Sequence, residues 1–178
     1  ANKKLNLISN STENEIWDRH FLDSSQAIDF ISKNQESLVD IGSGAGFPGL
    51  VLAIVAKDRQ MPLKIKLIEK SPKKTKFLKN LIKTFHLNAE VLQQNILEDH
   101  IRFSEDVFVV RAFKPLRIIL ELMHNKAKNW KKIFIFLGKT GRQELLRASK
   151  NWNIEYKERV SVTSSDSLVM EIRKLNRK

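Results

Sequence analysis

The feature that most constrains this chain is a short apolar run that leads into a glycine-rich turn and then into a helical pattern. Residues 38–41 are apolar except for Asp40, and residues 42–49 read Gly-Ser-Gly-Ala-Gly-Phe-Pro-Gly. Residues 50–56 are again apolar, over a length that suits a helix, and Pro48 suits its first turn. Glycines allow left-handed backbone and the close approach of a ligand. The turn is therefore predicted to aim backbone N–H groups and the positive end of a helix dipole at a nucleotide-type cofactor.

Two cofactor patterns overlap on this turn. Residues 44–49 form a G-x-G-x-x-G, and Glu69 follows at the spacing of the acid that binds ribose hydroxyls in dinucleotide-binding folds. Residues 40–46 instead fit the acid-x-G-x-G-x-G pattern of class I S-adenosylmethionine methyltransferases. Asp40 favours the methyl donor, because a carboxylate at the strand end would repel a pyrophosphate but can meet the ammonium group of S-adenosylmethionine. A turn that only connects a strand to a helix is the weaker alternative, since it leaves Glu69 unexplained.

Composition and charge narrow the class of protein. The 178 residues suffice for one domain with a substantial core, and the lack of cysteine excludes disulfides, thiolate metal sites and a cysteine nucleophile. Lysine and arginine number 32 against 20 acidic residues, and the net charge of +12 favours a nucleic acid partner over a merely solubilising excess. The longest apolar run, residues 49–56, is too short to span a bilayer, and no signal-like segment follows the N-terminus. A cytoplasmic monomer without membrane contact is expected.

The rest of the chain alternates between strand and helix patterns. Strands are predicted near residues 38–41, 63–69, 89–92, 107–110, 133–137, 153–160 and 167–175, and helices near 11–32, 48–58, 71–86, 115–127 and 142–150. This alternation predicts an α/β fold in which helices cover both faces of a mainly parallel seven-stranded sheet whose last strand is antiparallel. The closing hairpin favours a methyltransferase sheet over a dinucleotide-binding one.

Side chains at the carboxyl ends of the predicted strands are the candidates for chemistry. Arg111 follows the continuous apolar strand 107–110, where packing does not readily explain it. The stretch Gln94-Asn95-Ile96-Leu97 follows the third strand, where the adenine of a cofactor would meet apolar side chains and take hydrogen bonds from backbone and Asn95.

Two features of the predicted helices concern charge. On helix 11–32, Arg19 and Asp23 are i,i+4 neighbours, for which a surface ion pair is expected. The outer face of helix 71–86 carries a row of lysines, which fits either an ordinary solvated face or a patch that binds an RNA backbone. The row consists of Lys70, Lys73, Lys74, Lys76, Lys79 and Lys83.

Four stretches of the chain resemble one family. They are Asn-Leu-Ile-Ser at 6–9, Arg-His-Phe-Leu-Asp-Ser at 19–24, the turn at 39–49 and Arg-Ala-Phe at 111–113. In this combination they resemble the bacterial 16S ribosomal RNA guanine-N7 methyltransferases, also called glucose-inhibited division protein B. The resemblance implies a class I, Rossmann-like fold and S-adenosylmethionine-dependent methylation of N7 of a specific guanine in 16S ribosomal RNA. The partner would be that RNA, the small ribosomal subunit or an assembly intermediate of the subunit.

The resemblance also implies roles for individual residues. Arg111 would stand at the junction of the cofactor and the target base, as the catalytic residue. Backbone at Gly42 and Phe47 would hold the methionine end of S-adenosylmethionine, and two side chains would flank its adenine, Ile96 and Leu97. The full set expected in cofactor binding is Asp40, Gly42, Gly44, Phe47, Glu69, Asn95, Ile96, Leu97 and Arg111. The residues expected to contact RNA are Arg19, His20, Lys114, Arg117 and Lys139.

The resemblance covers most of the chain, which it divides into two parts of a single methyltransferase domain. Residues 1–36 would form an N-terminal helical cap, expected to be incomplete, and residues 37–178 would form the cofactor-binding core. The order Gly138-Lys139 departs from the Lys-Gly that is common in the family.

A guanine in structured RNA has to be extruded to react, and Phe47 and Phe113 are candidates for an aromatic platform beneath it.

Two rival functions follow from the same residues. An NAD-type oxidoreductase would share the glycine turn, but Asp40, the closing hairpin and the basic charge oppose it. An RNA-binding module without catalysis would keep the fold and the charge, but the intact turn and Glu69 oppose that alternative.

Overall fold

The computed structural model of the protein describes residue 7 and residues 15–178. The strands are β1 Ser37–Ile41, β2 Lys64–Glu69, β3 Ala89–Gln93, β4 Val107–Arg111, β5 Lys132–Leu137, β6 Trp152–Ser161 and β7 Ser164–Arg177. The main helices are α1 Gly49–Asp58, α2 Pro72–Thr84, α3 Leu116–Lys126 and α4 Gly141–Ala148. Every strand predicted from the sequence is present, as is every helix predicted after residue 37, and the bounds differ by only a few residues.

All seven strands form one sheet in the order β3-β2-β1-β4-β5-β7-β6. The first five pair in parallel, whereas β7 runs antiparallel to both β5 and β6. The predicted mainly parallel sheet with a closing hairpin is confirmed. The carboxyl ends of β1, β2, β4 and β5 therefore meet at one edge, where ligands bind in open α/β sheets.

Residues 17–30 form what we call the N-terminal helical segment. It is made of three successive helix types: a π-helix Trp17–Leu22, an α-helical turn Asp23–Ser25 and a 3-10 helix Gln26–Phe30. The sequence predicted one regular helix as far as Ser32, which is wrong in type and slightly too long. The side-chain amide of Gln26 donates to the Asp23 carbonyl oxygen at 2.8 Å, and such local side-chain bonds compete with the regular helical ladder.

Part of the predicted N-terminal region lies outside the described residues. This applies to residues 11–14 at the start of the predicted helix 11–32 and to the stretch 6–9 except Leu7. Within the part of the chain that the structure describes, no helix combines the length and apolarity needed to cross a bilayer.

The sheet is buried on both faces, which explains why its central strands are apolar without interruption. Val39 packs in the core beneath α3 and α4, whereas Leu38 packs in the opposite core beneath α1, α2 and the N-terminal helical segment. Because side chains alternate along a strand, Asp40 and Arg111 project to this second face. The polar residues at the strand ends therefore point towards α1 and the N-terminal helical segment.

Candidate functional site

The glycine-rich turn joins β1 to α1 at the carboxyl edge of the sheet. Gly42, Gly44 and Gly46 have φ values of +73°, +57° and +99°, in the left-handed region that other residues rarely adopt. A Cβ on Gly42 would lie 2.3 Å from the ring of Phe113, so this ring is seated directly against the turn. A Cβ on Gly44 would meet nothing nearer than the Gly42 carbonyl oxygen at 3.8 Å. The turn is therefore open at Gly44, where a ligand can approach the backbone.

Glu69, at the end of β2, lies beside this opening. Its Oε2 accepts a hydrogen bond from the Gly44 N–H at 2.9 Å, and its Oε1 accepts one from the Ser71 N–H at 2.7 Å. Only 8% of the residue is exposed. The structure thus brings the glycine turn and the downstream acid into direct contact, and a carboxylate at this edge is a suitable acceptor for ribose hydroxyls.

Asp40 lies on β1 just before the turn and is fully buried. Its Oδ2 accepts a hydrogen bond from the Gly49 N–H at 3.0 Å, which ties the start of α1 to β1. Its Oδ1 has no hydrogen-bond partner among the described residues. Burial raises the pKa of Asp40 to about 7, although the Gly49 N–H opposes that shift. Asp40 thus braces α1, and its contact with a cofactor ammonium group stays a prediction.

The loop after β3 holds the residues predicted to surround an adenine. Ile96 is buried in the core beneath α3, whereas Leu97 is 44% exposed. The Asn95 N–H donates to the Asp99 carboxylate at 2.9 Å, and the Asn95 side-chain oxygen accepts from the Leu97 N–H at 3.4 Å. Asn95 is therefore bound within its own loop, and Leu97 is the residue of the three that presents an open apolar surface.

Arg111, at the end of β4, is bound to the N-terminal helical segment. Its guanidinium donates to the Ser24 hydroxyl at 2.9 Å and to the carbonyl oxygens of His20, at 3.4 Å, and Arg19. It forms an ion pair with Asp23 at 3.1 Å, and only 16% of its side chain is exposed. Burial lowers the pKa of Arg111, and the Asp23 carboxylate opposes that shift. The expectation that packing does not explain Arg111 is wrong, because the residue fastens a helical segment to the sheet.

Asp23 is the centre of this connection. Its Oδ1 accepts hydrogen bonds from Gln26 at 2.7 Å and from the Ser161 hydroxyl on β6 at 2.6 Å, while Oδ2 faces Arg111. The predicted surface ion pair between Arg19 and Asp23 is wrong. Asp23 is buried, because the irregular helix turns it towards the sheet, where a buried arginine needs a counter-charge.

Comparison with known proteins decides the family. Residues 1–174 match the model of the family described as GidB: rRNA small subunit methyltransferase G. The chain belongs to the GidB family. Two relatives named ribosomal RNA small subunit methyltransferase G illustrate the match. That of Pelagibacter ubique (strain HTCC1062) is 38% identical over 179 residues, which cover 99% of this chain and 84% of the relative. That of Rickettsia prowazekii (strain Madrid E) is 34% identical over 176 residues, which cover 99% and 88%.

Solved structures with the same fold include S-adenosylmethionine-dependent enzymes. The structure of M. capricolum TrmK in complex with S-adenosyl-homocysteine matches with a TM-score of 0.61 and 17% identity, over 94% of this chain and 69% of that chain. M. jannaschii TYW2 in complex with AdoMet matches with a TM-score of 0.63 and 18% identity, over 92% and 78%. At these identities the likeness shows the fold alone, which is the class I, Rossmann-like methyltransferase fold predicted from the sequence.

The donor and acceptor groups of this GidB-family site fit S-adenosylmethionine. The open backbone at Gly44 allows close approach, and the Glu69 carboxylate is an acceptor for hydroxyl groups. The unpaired Oδ1 of Asp40 is a buried acceptor beside the same turn. A cofactor with hydroxyl and ammonium donors complements these groups, whereas a pyrophosphate would face two carboxylates.

Arg19 and His20, two residues predicted to contact RNA, lie on the π-helical part of the N-terminal helical segment. Arg19 is exposed and forms an ion pair with Glu15 at 2.6 Å. The His20 ring centroid lies 4.9 Å from that of Phe47, which follows the glycine turn. Burial lowers the pKa of His20, and the charge of Arg111 adds to that shift. The neutral imidazole is therefore favoured at neutral pH, directly beside the turn.

The other residues predicted to contact RNA follow β4 and β5. Lys114 and Arg117 are exposed, and Lys139 has an 81% exposed side chain that lies 3.4 Å from Asp166. Arg117 and Arg147 line a cleft of about 560 Å³ between α3 and α4. Basic side chains therefore stand on one side of the glycine turn, and their contact with RNA stays a prediction.

Gln94 opens the stretch predicted to surround the adenine, but the sequence assigned no contact to its side chain. Its N–H donates to the Glu69 carbonyl oxygen at 3.1 Å, and its side-chain Oε1 is buried without a partner in the described part of the chain. Buried polar atoms are nearly always satisfied by protein, water or a ligand. The only sequence signal was its position between β3 and Asn95.

Proposed function

We propose that this chain transfers a methyl group from S-adenosylmethionine to N7 of a guanine in 16S ribosomal RNA. The observation that carries the proposal is the pairing of Glu69 with the open Gly44 backbone, in a chain that belongs to the GidB family. The net charge of +12 supports an RNA substrate. The protein acts as a single-domain monomer in the cytoplasm, on the RNA within the small ribosomal subunit or its assembly intermediate.

The proposed cofactor contacts are distributed along three strand ends. After β1, backbone at Gly42 and Phe47 holds the methionine end, with Asp40 near its ammonium group, and the open backbone at Gly44 lets the cofactor approach. After β2, Glu69 accepts the ribose hydroxyls. After β3, the adenine lies against Ile96 and Leu97, with hydrogen bonds from Asn95 and to the unpaired oxygen of Gln94. When bound, S-adenosylmethionine supplies an electrophilic methyl group on a sulfonium.

The acceptor chemistry requires no general base. Guanine N7 carries a lone pair in the ring plane, so no proton has to be removed before it reacts. The residues of the chain then contribute chiefly by placing N7 in line with the methyl group, and such orientation lowers a barrier by about 7–11 kcal/mol. Phe47 and Phe113, which border the turn, provide an aromatic platform for the extruded base.

Arg111 is proposed to act at the junction of the cofactor and the guanine. A guanidinium pointed at N7 would be repelled by the positive charge that grows on the ring, so Arg111 instead holds the cofactor side, contacts a phosphate, or donates to guanine O6 from the side. Its ion pair with Asp23 and its bond to Ser24 give it a second task. They hold the N-terminal helical segment, with His20 and Arg19, over the carboxyl edge of the sheet.

The proposal is tested by transfer of a labelled methyl group to 16S ribosomal RNA from cells that lack this protein. The expected result is a single label, located to a guanine N7 by chemical cleavage. Glu69→Gln is expected to weaken S-adenosylmethionine binding roughly 10- to 100-fold by calorimetry, because a hydrogen bond to a charged group contributes about 1.5–3 kcal/mol. Glu90→Gln, which removes an exposed carboxylate paired with Lys64, is the matched control.

Two results would contradict the proposal. Cofactor binding without any label in 16S ribosomal RNA would exclude this RNA as the methyl acceptor. Binding of a nicotinamide dinucleotide, without binding of S-adenosylmethionine, would restore the oxidoreductase alternative.

A further inference from the structure

Helix α2 carries one positively charged face along its whole length. Its sequence contains five lysines and no acidic residue. Four of the lysines recur at spacings of three, three and four residues, and all four are exposed: Lys73, Lys76, Lys79 and Lys83. With a helical rise of 1.5 Å per residue, the row is about 15 Å long. The opposite side of α2 is packed into the core through Leu78 and its apolar neighbours.

This arrangement works against the stability of the helix. Like charges at i,i+3 and i,i+4 repel each other, and Lys73 and Lys74 stand in the first turn, where the helix dipole favours acidic residues. None of the α2 lysines forms an ion pair with a described residue. Four lysines outside α2 form ion pairs with described residues: Lys64, Lys66, Lys131 and Lys139. Within the described residues, α2 therefore presents a regular row of like charges with no paired acidic side chain.

The charge and spacing of the α2 lysines indicate which class of partner they bind. Regularly spaced, flexible ammonium groups suit the phosphates of a nucleic acid backbone, which bind through counterion release and without sequence specificity. The core of a protein interface is instead poor in lysine and rich in aromatic residues. Insertion into a membrane surface needs an exposed apolar face, and the apolar face of α2 is occupied by the sheet.

The start of α2 is joined to the proposed cofactor site. Ser71 is the N-cap of α2, and its N–H donates to the same Glu69 carboxylate that binds Gly44. α2 packs in the core that contains β2 and β3 residues, on the other side of β1 from the loops that carry Lys114 and Lys139. The two basic groups therefore flank the glycine turn on opposite sides.

We infer that the lysine face of α2 docks the sugar-phosphate backbone of the RNA substrate, on the flank of the site opposite Lys114, Arg117 and Lys139. The inference rests on the proposed function for the identity of that RNA. An RNA that touches both flanks has to pass over the glycine turn, which brings its reacting nucleotide to the cofactor. Loss of the α2 contacts should therefore weaken RNA binding without changing cofactor binding.

The test compares two double charge reversals of equal net charge. Lys73→Glu/Lys79→Glu alternates the signs along α2 and places an acid in its first turn, so its melting temperature should equal or exceed that of the unaltered chain. Lys128→Glu/Lys150→Glu is the control, because both lysines are exposed at the opposite edge of the sheet, before β5 and after α4. Both variants are compared with the unaltered chain for RNA binding, methyl transfer and calorimetric S-adenosylmethionine binding.

Lys73→Glu/Lys79→Glu should lose about two phosphate contacts. At 0.1 M salt its affinity for 16S ribosomal RNA should fall roughly 30-fold, and the log–log salt dependence should become shallower by about 1.4–1.8. The KM for RNA should rise with little change in kcat and in S-adenosylmethionine affinity. The RNA affinity of the control variant should stay within about threefold of that of the unaltered chain, because the control changes only the net charge.

Equal effects of the two variants would overturn the inference, as would an RNA affinity that Lys73→Glu/Lys79→Glu leaves unchanged. Selective loss of binding to vesicles with anionic lipid headgroups, with RNA binding intact, would also overturn it. RNA binding is measured without turnover, so it tests the role of the α2 lysines even if the unaltered chain transfers no methyl group. A lack of methyl transfer by the unaltered chain would instead contradict the proposed function.

Discussion

At the scale of single residues, Asp40 is a carboxyl group that stabilises the fold at the edge of the proposed cofactor site. It is fully buried, one oxygen holds the first N–H of α1, and the other has no partner in the described residues. Sequence reasoning placed it correctly at the strand end beside the turn. Its burial depends on how closely α1 packs over β1, which no local pattern encodes.

The raised pKa of Asp40 has a defined effect on stability. In the unfolded chain the group ionises near its usual pKa of 3.8, whereas in the folded chain burial raises the pKa to about 7. Between these values the folded state binds more protons than the unfolded state, so the contribution of Asp40 to stability falls as the pH rises. It is most favourable below about pH 4 and reaches its lowest level above about pH 7.

Asp40→Asn, which keeps an acceptor for the Gly49 N–H but cannot ionise, should remove this dependence. The quantity to compare is the free energy of unfolding of the variant minus that of the unaltered chain. From pH 4.5 to pH 7.5 this difference should increase by a few kcal/mol, because each unit of pKa shift corresponds to about 1.4 kcal/mol. Urea unfolding at the two pH values measures the difference. A difference between the two proteins that does not change with pH would show that Asp40 titrates normally.

At the scale of elements, the N-terminal helical segment marks the limit of local prediction. The strands, α1 and α2 follow from apolar runs, turn glycines and the Ser71 cap, all of which act over a few residues. The segment instead depends on Arg111 and Ser161, which lie far away in the sequence. A pattern of i,i+4 charges therefore suggested the wrong partner for Asp23.

Asp23→Asn tests whether this long-range connection holds the segment. The change leaves the charge of Arg111 without a counter-ion in a largely buried place, so the free energy of unfolding should fall by about 3 kcal/mol. Glu15→Gln is the control, since it removes the exposed i,i+4 pair with Arg19, which contributes less than about 1 kcal/mol. Urea unfolding at pH 7 compares them.

Combining Asp23→Asn with Arg111→Met should recover part of the lost stability, because the second change removes the unpaired charge. An Asp23→Asn variant that unfolds like Glu15→Gln would show that the ion pair contributes no more than a surface contact. In that case Arg111 would be available to a ligand at little cost to the fold.

At the scale of the whole molecule, the sequence predicted the fold and the cofactor turn but not how the parts are joined. The parallel pairing of the first five strands follows from the alternation of elements, and Glu69 meets Gly44 because a motif fixes their spacing. The orphaned oxygen of Gln94 has no comparable signal. It depends on how three loops meet at the sheet edge, which is a property of the assembled fold.

The closing hairpin β6–β7 packs against the N-terminal helical segment, so two elements that lie far apart in the sequence are joined. Ser161 on β6 bonds to Asp23, and the Arg159 guanidinium lies 3.4 Å above the centroid of the Phe30 ring. Arg159 is held in turn by Glu171 on β7, which is fully buried and also accepts two hydrogen bonds from Arg173.

Glu171→Gln should therefore loosen the hairpin and the segment together. Removing the charge leaves two arginines without a buried counter-ion, and the free energy of unfolding should fall by about 3 kcal/mol at pH 7.

The bonds to the arginines outweigh burial and lower the pKa of Glu171. Its contribution is therefore complete above the unfolded pKa of about 4.5 and is lost as the pH falls through the lower folded value. Urea unfolding at pH 7 and pH 3 should show the difference shrink, whereas Glu158→Gln, at the exposed Arg142 pair, should change little. Equal losses at both pH values would mean that packing, and not charge, joins the two ends.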